Sequence, residues 1–129
     1  PDIKIEQEQT GIWLRDKAMT LTNDWITQGR EFDAVVSNND EMAIGAAMAL
    51  KQAGIAKGKV LIAGVDGTED GVRAVEKGDL TLSVFQDAAG QANGSVETAL
   101  KMINKAPYEQ AVWVPFQLIT QDNVSTYKK

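Results

Sequence analysis

Residues 32–50, FDAVVSNNDEMAIGAAMAL, decide the predicted fold class, because here an apolar strand passes through a polar turn directly into a helix. The continuous apolar run at 34–36 predicts a strand covered on both faces, which is typical of parallel strands in α/β proteins. Asn39 or Asp40 then caps a helix whose first turn carries negative charge, which the exposed N–H groups favour. Asn38 and Asn39 therefore lie at the carboxyl end of a parallel strand, where open α/β sheets bind their ligands.

The same alternation of strand and helix recurs along the chain, without a short internal repeat or a low-complexity tract. Strands are predicted at 3–8, where Ile3 and Ile5 alternate with polar residues, at 60–65 and at 80–85, and a last extended segment at 112–119. Helices are predicted at 14–29, 40–54, 68–78 and 87–104. Successive strand–helix units predict an α/β fold with a parallel sheet flanked by helices.

Composition excludes several classes of function. The 129 residues suffice for one domain with a core, and a net charge of -5 without a basic cluster argues against nucleic acid as a partner. The chain contains neither Cys nor His, which removes thiol nucleophiles, the usual transition-metal ligands and a histidine base. No apolar run approaches the roughly 20 residues that span a bilayer. Because the chain opens at Pro1 almost directly on a strand, we expect it to be part of a longer protein.

Four predicted strands are each followed by a side chain suited to a polar ligand. Each has a simpler explanation as a helix cap, a turn residue or a surface residue. As a set, however, two amides and a carboxylate can donate to and accept from adjacent hydroxyls, while an indole covers the C–H face of a ring. A polyol requires this combination. The predicted ligand-binding residues are Trp13, Asn39, Asp66 and Gln86.

Enzymatic alternatives lack a required residue. The segment VDGT at 65–68 is similar to the DxDGT motif of haloacid-dehalogenase-type phosphatases, but Gly64 stands where the nucleophilic Asp would be. The acidic residues at 66–70 are too closely spaced for an EF-hand loop. No phosphate-binding loop and no nucleophile elbow occur. We therefore predict no catalytic residues, no metal site and no cofactor.

Three motifs resemble the C-terminal part of the periplasmic sugar-binding proteins of bacterial ABC importers, of the ribose and galactose type. They are SNNDEMAIGA at 37–46, AGVDGT at 63–68, and the strand at 82–86 with DAAGQ after it. Within that family the chain is similar to binders of inositol and related cyclitols, because of VFQD at 84–87 and VWVPF at 112–116.

The resemblance implies a flavodoxin-like lobe of a type I periplasmic binding protein, incomplete in this chain. Residues 1–86 and 116–129 are expected in the C-terminal lobe, and 87–115 are expected to cross to the N-terminal lobe. Such a protein captures a sugar or cyclitol between two lobes in the periplasm and delivers it to a membrane permease. Its precursor carries a signal peptide, and the N-terminal part of the same protein is the chain's expected partner.

The resemblance also assigns roles to the four predicted site residues. Trp13 occupies the place of an aromatic residue that stacks on the sugar ring. The other three, Asn39, Asp66 and Gln86, match side chains that hydrogen-bond ring hydroxyls. Val65 stands where ribose-type members carry a second aromatic residue, which argues against ribose as the ligand.

Two other functions remain open from the sequence. The effector-sensing domain of a lactose-repressor-type transcription regulator shares the fold, and a helix-turn-helix upstream would distinguish it. A sugar-modifying enzyme is a third hypothesis, which turnover of a bound polyol would test.

Overall fold

The computed structural model describes residues 3–128, in which strands and helices alternate. The strands form one sheet in the order β1-β2-β3-β4, and β2 pairs in parallel with both β1 and β3. The predicted α/β fold with helices flanking a largely parallel sheet is therefore confirmed. In chain order the elements are α1 (Arg15–Thr27), β1 (Ala34–Val36), α2 (Asp40–Gln52), β2 (Leu61–Asp66), α3 (Glu69–Glu76), β3 (Leu82–Phe85), α4 (Ala88–Ile103), β4 (Gln117–Ile119) and a 3₁₀-helix (Val124–Tyr127).

The chain divides into two compact units. The first comprises Pro1–Phe85 and Leu118–Lys129, and the second comprises Gln86–Gln117. These divisions fall close to the boundaries predicted for the crossing segment at 87–115. That this segment belongs to another lobe stays a prediction.

The core of the first unit lies between one face of the sheet and the helices α2 and α3. Small residues on α2 allow close packing, and a Cβ at Gly45 would overlap the carbonyl oxygen of Arg15 in α1. Burial of this apolar surface is the main favourable contribution to folding. The buried cluster contains Val35, Ala43, Ala46, Leu50, Val60, Ile62, Val72, Ala74, Val75, Leu80, Ile119 and Val124.

The prediction that β1 is covered on both faces was wrong. Val35 is 9% exposed, whereas its neighbour Val36 is 78% exposed. Side chains alternate along a strand, and Ala34 shares its exposed face with its partner Leu61 on β2. A run of three apolar residues cannot show which face the surrounding chain covers, and β1 is an edge strand of this sheet.

The strand predicted at 3–8 does not form. Residues 3–10 have no regular secondary structure, and Ile3 and Ile5 are 90% and 74% exposed. An alternating sequence supplies only a side-chain pattern, because the hydrogen bonds of a strand come from a neighbouring strand. No described segment supplies them to residues 3–10.

An open cavity of about 570 Å³ lies beside β1. Its walls come from residues 7–13, from α1, from β1 with the two residues after it, and from Met42 and Ala46 of α2. Trp25 lines this cavity, and its Nε1 is a buried donor without an acceptor in the described part of the chain. The space at the edge of the sheet is therefore bounded by both polar and apolar residues, and it includes one unsatisfied donor.

In the second unit, two glycines of α4 lie near Val112 and Val114. A Cβ at Gly90 would lie 2.5 Å from Oδ2 of Asp87 and 3.3 Å from Val114, whereas a Cβ at Gly94 would make an ordinary contact of 3.4 Å with Val112. None of the residues of α4 is buried, although Val96 and other apolar residues lie on it. Between residues 3 and 128, no helix combines the length and apolarity that a membrane span requires.

We expect the 129-residue chain, refolded alone at micromolar concentration, to self-associate, because Val36 on the edge strand β1 and Leu61 beside it on β2 leave apolar surface exposed. The Val36→Lys variant should shift the population toward monomer, with a change in unfolding free energy within about 0.5 kcal/mol. Light scattering coupled to size-exclusion chromatography measures the molar mass of each species, and urea denaturation measures the unfolding free energy. The matched control, Val35→Lys, buries a charge and should not fold. A wild-type chain that is monomeric and melts cooperatively would contradict the prediction.

Candidate functional site

Trp13 lies in a tight turn between the N-terminal segment and α1. The amide of Leu14 donates to the carbonyl oxygen of Gly11 at 3.0 Å, and the two central residues, Ile12 and Trp13, have φ angles of 46° and 66°. Glycine and asparagine are favoured at such angles, and bulky residues there cost about 1 to 3 kcal/mol each. The strained turn holds an indole that is 60% exposed.

Asn39 is a buried residue that connects this turn to α2. Its Oδ1 accepts a hydrogen bond from the amide of Met42 at 2.9 Å, which caps α2, and its Nδ2 donates to the carbonyl oxygen of Trp13 at 3.2 Å. The predicted capping role is confirmed. An amide offers two N–H donors and two acceptor lone pairs, so these bonds use half of its capacity. A contact between Asn39 and a ligand stays a prediction.

Asp66 ends β2 in a strained backbone conformation. Its φ angle is 114°, and that of Gly67 is 67°. A Cβ on Gly67 would lie 2.7 Å from the ring of Phe85, so glycine is required at this turn for space as well as for conformation. Asp66 itself is half-buried and lies beside Phe85 in the parallel register.

Gln86 follows β3 directly and is the first residue of the second unit. It is half-buried. The next residue, Asp87, caps α4 by accepting a hydrogen bond from the amide of Gly90 at 2.9 Å. The ligand contact predicted for Gln86 stays a prediction.

Asp40 is a fully buried carboxylate whose role the sequence did not reveal. It is 0% exposed at the first position of α2. Its Oδ2 accepts hydrogen bonds from the amide and the hydroxyl of Thr68 at 2.8 and 3.1 Å, and its Oδ1 accepts one from the hydroxyl of Ser83 at 2.6 Å. The sequence offered only an acidic residue in a first helical turn, a pattern that is common on protein surfaces.

A partly exposed cluster of charges joins the first turns of three helices. Arg15 of α1 forms a bidentate pair with Glu41 of α2 at 2.7 and 2.9 Å and reaches Asp70 of α3 at 2.9 Å. Arg73 donates to the other oxygen of Asp70 at 2.5 Å. The hydrogen bonds from Arg73 and from Arg15 hold the pKa of Asp70 below its ordinary value of 3.8. The hydrogen bonds that Arg15 donates to Glu41 and Asp70 raise the pKa of Arg15.

Residues 1–107 match the family described as the periplasmic binding protein domain. The chain belongs to this family. The resemblance seen in the sequence is therefore confirmed.

Curated relatives of the chain include two named for binding small molecules. A protein of Rhizobium meliloti with the provisional name rhizopine-binding protein is 46% identical over 126 residues, which are 98% of this chain and 41% of that protein. The xylitol-binding protein of Mycolicibacterium smegmatis is 35% identical over 125 residues, covering 96% of this chain and 35% of that protein. The chain thus spans about two fifths of the length of these relatives.

A solved structure with a similar fold contains a ligand. It is an ABC transporter solute-binding protein from Bacillus halodurans with bound myo-inositol. The TM-score is 0.88 and the sequence identity 39%, over 97% of this chain and 43% of that one. The similarity therefore extends over nearly the whole chain.

Replacing Asn39 with alanine should lower the free energy of unfolding by about 1 to 2 kcal/mol, because α2 loses its cap and the strained turn at Trp13 loses a hydrogen bond. Urea denaturation measures this change in the free energy of unfolding. The exposed neighbour Asn38 provides the matched control, and Asn38→Ala should change stability by less than about 0.5 kcal/mol. Equal effects of the two substitutions would refute the role assigned to Asn39.

The Asp70 carboxylate should stabilise the fold only while it is ionised. The pKa of Asp70 in the folded protein lies below the ordinary value of 3.8. Its contribution to the stability of the fold is therefore present above pH 3.8 and is lost as the pH falls through the folded pKa. Asp70→Asn should therefore lower the melting temperature at neutral pH, and the difference from wild type should vanish in acid. Arg73→Gln, which removes the stronger partner, should move the pKa of Asp70 back toward 3.8 in a carboxyl ¹³C titration. An unchanged pKa would contradict the assignment.

Proposed function

We propose that this chain is part of the solute-binding component of an ABC importer, which captures a sugar or cyclitol and delivers it to a membrane permease. The observation that carries the proposal is the arrangement at the carboxyl ends of β1 and β2. There, Asn39 is hydrogen-bonded to the turn of Trp13, and Asp66 follows on the neighbouring strand. Ligands of open α/β sheets bind at this edge.

The chemistry of these side chains fits a polyol. A carboxylate accepts hydrogen bonds from two adjacent hydroxyls, an amide both donates and accepts, and an exposed indole covers the C–H face of a ring. Strained backbone occurs at Ile12, Trp13 and Asp66, and strained residues cluster at ligand sites. We propose binding without turnover, consistent with a family of binding proteins.

We propose a cyclitol of the inositol kind as the preferred ligand. The solute-binding protein with bound myo-inositol is 39% identical to this chain, and the relative named for xylitol binding also takes a polyol. Val65 directly precedes Asp66, and its small aliphatic side chain offers no second stacking surface. Gln86 remains a predicted ligand contact.

We propose that another part of the same protein completes the sheet. The cavity of about 570 Å³ beside β1, the exposed Val36 and the unsatisfied Nε1 of Trp25 lie where a further strand would find partners. The proposed location is the periplasm, which requires a signal peptide on the precursor. The matches described above are binding proteins, and none of them favours the regulator hypothesis.

Calorimetry of the intact protein against myo-inositol, xylitol, ribose and galactose tests the proposal, and we expect the tightest binding for myo-inositol. Asp66→Ala should cost about 1.5 to 3 kcal/mol of binding free energy, since a charged hydrogen-bond acceptor is lost. This corresponds to a rise in Kd of about 10- to 150-fold.

The matched control for this measurement is Asp24→Asn, which removes an exposed carboxylate of α1 and should leave Kd unchanged. If Asp66→Ala binds as tightly as wild type, the site is wrongly assigned. If no polyol binds to the wild-type protein, the proposed function itself is refuted.

A further inference from the structure

The buried carboxylate of Asp40 is surrounded by uncharged donors. Its hydrogen bonds come from a backbone amide and from two hydroxyl groups, those of Thr68 and Ser83. Removing a carboxylate from water costs several kcal/mol, which neutral donors and the first turn of a helix offset only in part. A residue that served packing alone would not need a charge here.

The hydrogen bonds of Asp40 fix the backbone on the far side of Asp66. The amide of Thr68 donates directly to Asp40, and the hydroxyl of Ser83, itself donating to Asp40, accepts from the amide of Gly67 at 3.2 Å. The two residues that follow Asp66 are therefore both tied to the same carboxylate. Asp66 has a φ angle that an L-residue avoids, so external bonds are needed to hold it there.

Two glycines leave the space that this carboxylate occupies. A Cβ at Gly71 of α3 or at Gly64 of β2 would overlap the Asp40 side chain. Gly64 pairs in register with Ser83. Glycine within a helix or a strand is unfavourable by about 0.5 to 1 kcal/mol relative to alanine. The chain thus accepts two unfavourable residues where they accommodate Asp40.

We infer that Asp40 is a positioning residue. It holds the side-chain amide of Asn39 and the carboxylate of Asp66 at a fixed separation that suits a rigid polyol. This inference rests on the proposed function. Asn39 is joined to Asp40 by a peptide bond, and Asp66 is held through Gly67 and Thr68. Because the site is ordered before the ligand arrives, binding loses less conformational entropy.

A rigid ring cannot follow a displaced carboxylate, whereas an open-chain polyol can adjust its torsion angles. Replacing Asp40 should therefore lower the affinity for myo-inositol more than the affinity for xylitol. A loss of general stability would not change the ratio of the two affinities, so this ratio separates positioning from folding.

The test compares Asp40→Asn and Ser83→Ala with Leu50→Ala in the intact protein, by calorimetry at a temperature where circular dichroism shows each variant to be folded. Leu50 is buried in α2 outside the site, so its truncation destabilises the fold without touching the Asp40 hydrogen bonds. We expect Asp40→Asn to raise the Kd for myo-inositol about tenfold or more, Ser83→Ala by a smaller factor, and Leu50→Ala by less than about twofold. The ratio of the affinity for xylitol to the affinity for myo-inositol should rise in Asp40→Asn and in Ser83→Ala, but not in Leu50→Ala.

Amide hydrogen exchange provides a readout that needs no ligand. In the ligand-free protein, exchange at Gly67 and Thr68 should be slow, and Ser83→Ala should accelerate it at Gly67 more than Leu50→Ala does. Unchanged exchange in Ser83→Ala, or unchanged affinities in a folded Asp40→Asn, would overturn the inference. If the wild-type protein binds no polyol, the proposed function fails, while the exchange rates still decide whether Asp40 holds this turn.

Discussion

The carboxylate of Asp40 is the interaction on which the polar edge of the sheet depends. Its hydrogen bonds join the first turn of α2 to the turn after β2 and to the middle of β3. A buried carboxylate is tolerated only when donors satisfy it, and here the donors come from elements far apart in the sequence. Asn39, which precedes it, extends the connection to the turn of Trp13. One short segment thereby connects the carboxyl ends of β1 and β2 with β3 and with the turn of Trp13.

Backbone strain and hydrogen bonding are coupled at this edge. Ile12, Trp13 and Asp66 have left-handed φ angles that a bulky or branched residue disfavours. Tertiary hydrogen bonds hold the backbone at these residues: the carbonyl oxygen of Trp13 accepts a bond from the side chain of Asn39, and the amide of Thr68, two residues after Asp66, donates to Asp40. The strain is thus maintained by tertiary contacts, which is the condition under which a site can be ordered before its ligand binds.

The same sheet presents a covered and an uncovered face. Helices α2 and α3 pack on one face, and the other leaves apolar residues of β1 and β2 exposed. The chain spans 41% and 35% of the length of the two curated relatives described above. Exposed apolar surface of this kind is typical of an interaction site, in line with the proposal that another part of the same protein completes the sheet.

The sequence by itself determined the order of strands and helices from α1 to β4, because each type has its own apolar period and its own terminating residues. It also narrowed the cap of α2 to Asn39 or Asp40, because a cap is a local hydrogen bond within three residues, and the structure shows Asn39 in that role. Only the tertiary structure decided that residues 3–8 form no strand and that one face of β1 is exposed, since both depend on which neighbours are present. The role of Asp40 was likewise hidden, because its donors lie 28 and 43 residues away and no local pattern encodes such a contact.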